Sequence, residues 1–203
     1  DSGELQVMEI SYVGIDGNNV TATRLPNPAE VYVDDAYAGM AIGTDPDGAE
    51  GPLIAVGFDA FADIPSALAA LPEAGLIHVA DGDYASLVLA QTVTIDGSGA
   101  VNITGEDTPA LQVDSGTVIA NGLTLNSTFV GFPAVSLTGG SLTLSTSTVN
   151  ADLGSAIEAT GGSLVLRSSN VNGSSDDDVP MIDVSGTATA NLGDDVTPGN
   201  NTF

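Results

Sequence analysis

The chain has 203 residues, no cysteine, and 27 acidic residues against two basic ones, Arg24 and Arg167, a formal net charge of −25. A surface of that sign repels phosphate backbones and anionic head groups, so nucleic acid and direct membrane insertion are excluded, and thiol chemistry goes with the missing cysteine. The hydrophobic share is 42% but the aromatic share only 4%, which calls for a narrow core of Ala, Val, Leu and Ile.

Asp1-Ser2-Gly3-Glu4 is polar and acidic, without the basic and apolar lead-in of a signal peptide, and reads as a mature or excised N-terminus. Leu5 to Val13 and Asn19 to Thr23 alternate as strands around an Asp16-Gly17 turn, the signature of a hairpin. Residues 1–30 are expected to stand apart, either as the tail of a preceding domain or as an arm that pairs with another subunit. Residues 31–203 form the main domain. It opens with a strand at Val31-Tyr-Val-Asp-Asp35, and a second strand follows at Leu76-Ile-His-Val-Ala80. Between them Asp63 has the chemistry of an N-cap, Pro65 suits a first turn, and Ser66 to Leu71 favour helix. Phe61, Ile64, Leu68 and Leu71 share one face, so a short helix near 61–71 is expected to cap a solenoid end. His78 alternates with Ile77 and Val79 and is expected on the solvent side.

Then a repeat begins. Segments starting at Ala110, Ala134, Ala156 and Met181 align, at spacings of 24, 22 and 25 residues. Each reads strand, Gly-containing bend, strand, and then a third short strand that ends in an apolar residue followed by Asn: Leu125-Asn126, Val149-Asn150, Val171-Asn172, with Val101-Asn102 one turn earlier. Pro109, Pro133 and Pro180 stand before first strands, where a missing N–H costs least. The fold implied is all-β: a right-handed parallel β-helix with three strands in each coil of about 22–25 residues, stacked about 4.8 Å apart. Asn102, Asn126, Asn150 and Asn172 are expected in one column, their amides bonded from coil to coil as in other stacked strands.

Val31-Tyr-Val-Asp-Asp, Phe61-Ala-Asp-Ile-Pro-Ser-Ala-Leu-Ala-Ala and Ile77-His-Val-Ala-Asp-Gly-Asp-Tyr84 together resemble the opening of pectin-lyase-like β-helix proteins, in which a strand, a capping helix and a strand with a Gly-x-Tyr turn precede the coils. The closing Gly199-Asn-Asn-Thr-Phe203 is similar to coil ends of large bacterial surface proteins of that type. The resemblance spans roughly residues 31–203. It implies fold more than activity, since the superfamily holds lyases, glycosidases, adhesins and spacers. Its lyases use an Arg or Lys base beside acidic calcium ligands, whereas Arg167 is the one basic residue in these coils. Its glycosidases group carboxylates on adjacent coils, and the one dense acidic run, Asp176-Asp177-Asp178, follows a Gly-Ser-Ser loop. No catalytic residue is assigned.

Calcium is the implied cation, because Asp45, Asp47, Asp176 and Asp178 put oxygen ligands on turns, as a hard cation prefers. The loops after the Asn positions vary in length and content, and variable loops on a rigid scaffold carry recognition. Phe129, Phe132, Asp152 and Asp177 are the expected binding face. The functional expectation is a secreted or cell-surface structural and adhesive module. Its partners would be other copies of itself, further coils of a parent chain, or glycans. The alternative is a polysaccharide-binding or polysaccharide-degrading β-helix.

Overall fold

The structure is a computed structural model that describes residues 7–11, 20–48, 53–129, 131–152, 154–173, 179–193 and 199–203. Short runs that alternate aliphatic and polar side chains make strands with one buried side, and here such runs stack instead of turning back. In chain order the elements are β1 (Met8–Ser11), β2 (Thr21–Arg24), β3 (Glu30–Val33), a 3-10 turn (Asp35–Tyr37), β4 (Ala60–Phe61), α1 (Ile64–Ala70), β5 (Gly75–Val79), β6 (Gly82–Ala85) and β7 (Leu87–Leu89). Then follow β8 (Val93–Gly105), β9 (Leu111–Val113), β10 (Thr117–Ser127), β11 (Val135–Leu137), β12 (Ser141–Ser145), β13 (Thr148–Ala151), β14 (Ile157–Ala159), β15 (Ser163–Arg167), β16 (Asn170–Asn172), β17 (Ile182–Val184) and β18 (Thr189–Asn191).

β1 and β2 pair antiparallel, Met8 opposite Arg24, in a separate two-stranded ribbon; the Asp16-Gly17 turn expected between them lies outside the described residues. Every other strand pairing is parallel, and the result is a right-handed parallel β-helix of about six turns. One ladder runs β7-β9-β11-β14-β17, a second β3-β5-β8-β10-β12-β15-β18, and a third joins β6, β13 and β16 to the C-terminal halves of β8 and β10. The sequence implies three separate sheets. The long strands β8 and β10 instead run through a corner without a break, so the second and third ladders share one sheet.

The core is a set of columns. Leu111, Val135 and Ile157 are register partners and fully buried, as are Leu142 and Leu164. Burial of each such side chain contributes about 1.5–3 kcal/mol. The bends between first and second strands need glycine. Gly116, Gly140 and Gly162 hold positive φ, and a Cβ on any of them would collide with backbone of the preceding coil.

α1 begins at Asp63, whose Oδ1 accepts the Ser66 N–H at 2.7 Å, and it ends at Leu71, held extended by the Pro72 that follows. Ile64, Ala67 and Leu71 join the buried cluster that contains Val31, Val33 and Ile77, so the helix closes the first coil. Ala67, rather than Leu68, sits deepest. Leu68 packs against the cluster but stays half-buried, because the inward stripe of this short helix passes through positions 64, 67 and 71.

Candidate binding surfaces

The third ladder presents a polar outer face. Asn150 Nδ2 donates to Asn126 Oδ1 at 2.8 Å, and Asn172 Nδ2 donates to Asn150 Oδ1 at 2.8 Å, so three asparagines form an amide column. Asn102 stands outside it, which corrects the four-membered column read from spacing. β8 carries three more residues than β10 at the corner: Asp96 pairs with Asn121, yet Val101 pairs with Leu123. The surplus shifts the register by three, so Asn102 lies opposite Thr124, two residues short of Asn126, and donates to Asp83 Oδ1 at 3.0 Å instead. Gly97 and Gly122 pass each other so closely at this corner that a Cβ on either would strike the other's surroundings.

A second column, absent from the sequence reading, runs inside the same corner. Ser147 Oγ accepts the Leu123 N–H at 3.2 Å, Ser169 Oγ accepts the Ser147 N–H at 3.3 Å, and Asn201 Oδ1 accepts the Ser169 N–H at 3.0 Å. Both serines are buried, and each also donates its hydroxyl to a corner carbonyl two residues back. The residue before each rung, Thr146, Ser168 or Asn200, is left-handed, which swings the chain around the corner. The Thr146-Ser147 and Ser168-Ser169 pairs, 22 residues apart, are the signal in the sequence that points to it.

The loop edge is built by register. Ser127 pairs with Gly105 on one side and Ala151 on the other, and the Asp152 N–H donates to Ser127 O at 3.3 Å, so successive loops leave the third ladder side by side. Phe129 and Phe132 are both exposed there, their rings tilted with centroids 6.3 Å apart, and Asp152 is exposed one coil on. The Phe132 carbonyl accepts the buried Ser127 hydroxyl at 2.8 Å, which ties this loop to the scaffold. Asp177, with Asp176 and Asp178, lies outside the described residues.

Asp45 and Asp47 turn upon their own backbone. Asp45 Oδ1 accepts the N–H groups of Asp47 and Gly48 at 3.3 and 2.9 Å, and Asp47 Oδ2 accepts that of Leu53 at 3.3 Å. Calcium takes six to eight oxygens, and among the described residues no three His, Cys, Asp or Glu side chains come together around one point. Asp59 does comparable work nearby: buried, it accepts the N–H groups of Ile54 and Ala55 at 3.0 Å and holds the excursion between β3 and β4.

Among the described residues, grooves in the N-terminal half include two with polar residues in their linings. One, of about 550 Å³, is lined by Asp83, Tyr84, Thr104, Glu106, Asp107 and Thr108, and so brings carboxylates from adjacent coils together. The buried Tyr84 hydroxyl donates to Ala80 O at 3.0 Å, and burial pushes its pKa up to about 12. The other groove, of about 280 Å³, lies where the Asp35–Tyr37 turn faces the second ladder. Tyr32 and His78 stack there with ring centroids 4.8 Å apart, while His78 Nε2 lies 3.5 Å from Glu30 Oε2. His78 is thus half-exposed, on the solvent side of its strand, and engaged on both flanks. Arg167 is engaged as well: its guanidinium donates to Leu166 O, Asn191 O and Asn191 Oδ1 and bridges two coils. Comparison of the chain with protein-family models, with curated proteins and with solved structures finds no match.

Proposed function

We propose that the chain is a structural and adhesive module of a secreted or cell-surface protein, related to the non-catalytic members of the pectin-lyase-like superfamily. The observation that carries this reading is the loop edge. A ladder whose rungs are fixed by strand register and by two hydrogen-bonded columns delivers Phe129, Phe132 and Asp152 side by side, and exposed aromatics on a rigid support are the usual anchors of recognition. Glycans and further copies of the chain are the partners. The test pairs antibody accessibility on intact source cells with glycan-array binding by the wild-type chain and a Phe129→Ala/Phe132→Ala variant. Surface labelling, with glycan signal lost in the variant, supports the reading; a protein reached only after lysis overturns it.

One observation favours a second reading, a polysaccharide-binding or polysaccharide-degrading β-helix. Asp83 lies one coil from Glu106 and Asp107 in the larger groove, and paired carboxylates across a groove are the equipment of glycoside hydrolysis. Release of reducing ends from acidic and neutral polysaccharides, abolished by Asp83→Asn or Glu106→Gln, would move the assignment to this groove.

A further inference from the structure

The smaller groove offers chemistry that neither reading uses. Its lining is Tyr32, Val33, Asp34, Tyr37, His78, Val79, Ala80 and Ser98: apolar backing, aromatic walls and one carboxylate. Its volume of about 280 Å³ suits a single side chain or sugar ring rather than a polymer. The walls are held firmly. Tyr32 stacks on His78, and both Tyr32 and Tyr37 pack against the buried cluster of Leu53, Val56 and Ala60. Asp34 is fixed too, because its Oδ1 accepts the Ala36 N–H at 2.9 Å and caps the turn that carries Tyr37. Its other oxygen makes no hydrogen bond among the described residues.

We propose that this groove is a binding site for a small organic cation, an ammonium group carried on an alkyl or amino-sugar frame. Charge complementarity selects the occupant. Asp34 lines the groove, and the carboxylates of Asp34, Asp47 and Asp59 all act on Tyr37, whose phenol is raised above its ordinary pKa first by burial and then by these charges. Tyr37, which lines the groove beside Asp34, adds the attraction of an aromatic ring for a cation that is partly desolvated. The carboxylates repel an anionic guest, and a neutral sugar can donate hydroxyls to Asp34 but forgoes the charge–charge attraction, so it binds far more weakly than the cation. The site acts the same way wherever the protein resides.

The chain's one histidine lines the groove and gives a single, unambiguous imidazole signal in NMR spectra. The full chain is titrated at fixed pH with Nα-acetyl-lysine amide, with glucosamine disaccharide and with the neutral N-acetylglucosamine disaccharide, in about 0.3 M NaCl to screen the overall field. The expected result is saturable movement of the His78 signals with a cationic probe and none with the neutral one; the tighter of the two cations identifies the source. Asp34→Asn, in which Asn still caps the turn, weakens binding about fivefold or more, and Tyr37→Ala also weakens it. Glu158→Gln, which removes the same charge from β14, leaves affinity unchanged. Equal loss in Asp34→Asn and Glu158→Gln means bulk attraction and overturns the proposal. So does binding of the neutral disaccharide as tight as that of the cations, or the absence of saturation below about 50 mM.

Discussion

The coils between β9 and β16 and the last coil, β17 with β18, follow one sequence pattern and differ in burial. In the inner coils Leu111, Val135, Leu144, Ile157 and Leu166 are sealed from solvent. In the last coil Ile182 and Ala188 only pack against the edge of that core, while Val184 and Leu192 are exposed. β14 has neighbours on both sides, whereas among the described residues β17 and β18 pair along one edge only. An inward position in a solenoid is therefore buried by its neighbours, and stability belongs to the interface between coils rather than to a coil.

The largest expected effect tests that contrast directly. Leu144→Ala should cost about 2–5 kcal/mol in urea unfolding, as fully buried leucines do. Val184→Ala should cost less than about 1 kcal/mol, and equal losses would end the comparison. Next comes the inner column. Ser169→Ala strands the buried Ser147 N–H and should cost about 1–3 kcal/mol in the same measurement. Third, Asn150→Ala breaks two amide rungs at a half-buried position and should cost about 1 kcal/mol. Asn102→Ala, which removes a single exposed bond to Asp83, should cost less.

The smallest effect is one of pH. Asp114 Oδ1 accepts from Gln112 Nε2 at 2.8 Å and from Thr138 Oγ1 of the next coil at 2.7 Å, and these bonds hold its carboxyl below the usual carboxylate range. A depressed pKa means that the unfolded chain binds the proton more readily. The contribution is therefore complete above the ordinary carboxylate pKa and disappears as pH falls through the lower, folded value. Asp114→Asn should flatten only this acid limb of the stability profile, and a uniform offset at every pH would show that the rung matters for some reason other than charge.

Most of the fold was legible because its cause is periodic. The repeated Ala starts, the Gly bends and the alternation of aliphatic residues fix parallel stacking, and the inner columns pair as that spacing requires. Asn102 shows where spacing misleads. Its distance of 24 residues from Asn126 equals the true coil spacing between Asn126 and Asn150, but three surplus residues at the β8 corner change the local count without changing the pattern. Ser147 and Ser169 are hidden in the sequence for a different reason. A buried hydroxyl in a corner looks like any loop serine until the N–H that it satisfies is known. The groove at Tyr32, Tyr37 and His78 joins residues 46 positions apart through the β3–β5 pairing, and a turn closes over it; no local motif announces such a meeting.

The inner corner column also sets an order of assembly. Leu123 waits for the hydroxyl of Ser147, Ser147 for that of Ser169, and Ser169 for the amide of Asn201, so each corner is completed by the coil made after it. A ribosome delivers those groups in the same sequence, and each new coil closes a loop of one coil's length instead of searching the whole chain. Growth from the helix-capped end can thus proceed as a zipper, one unpaired corner N–H at a time.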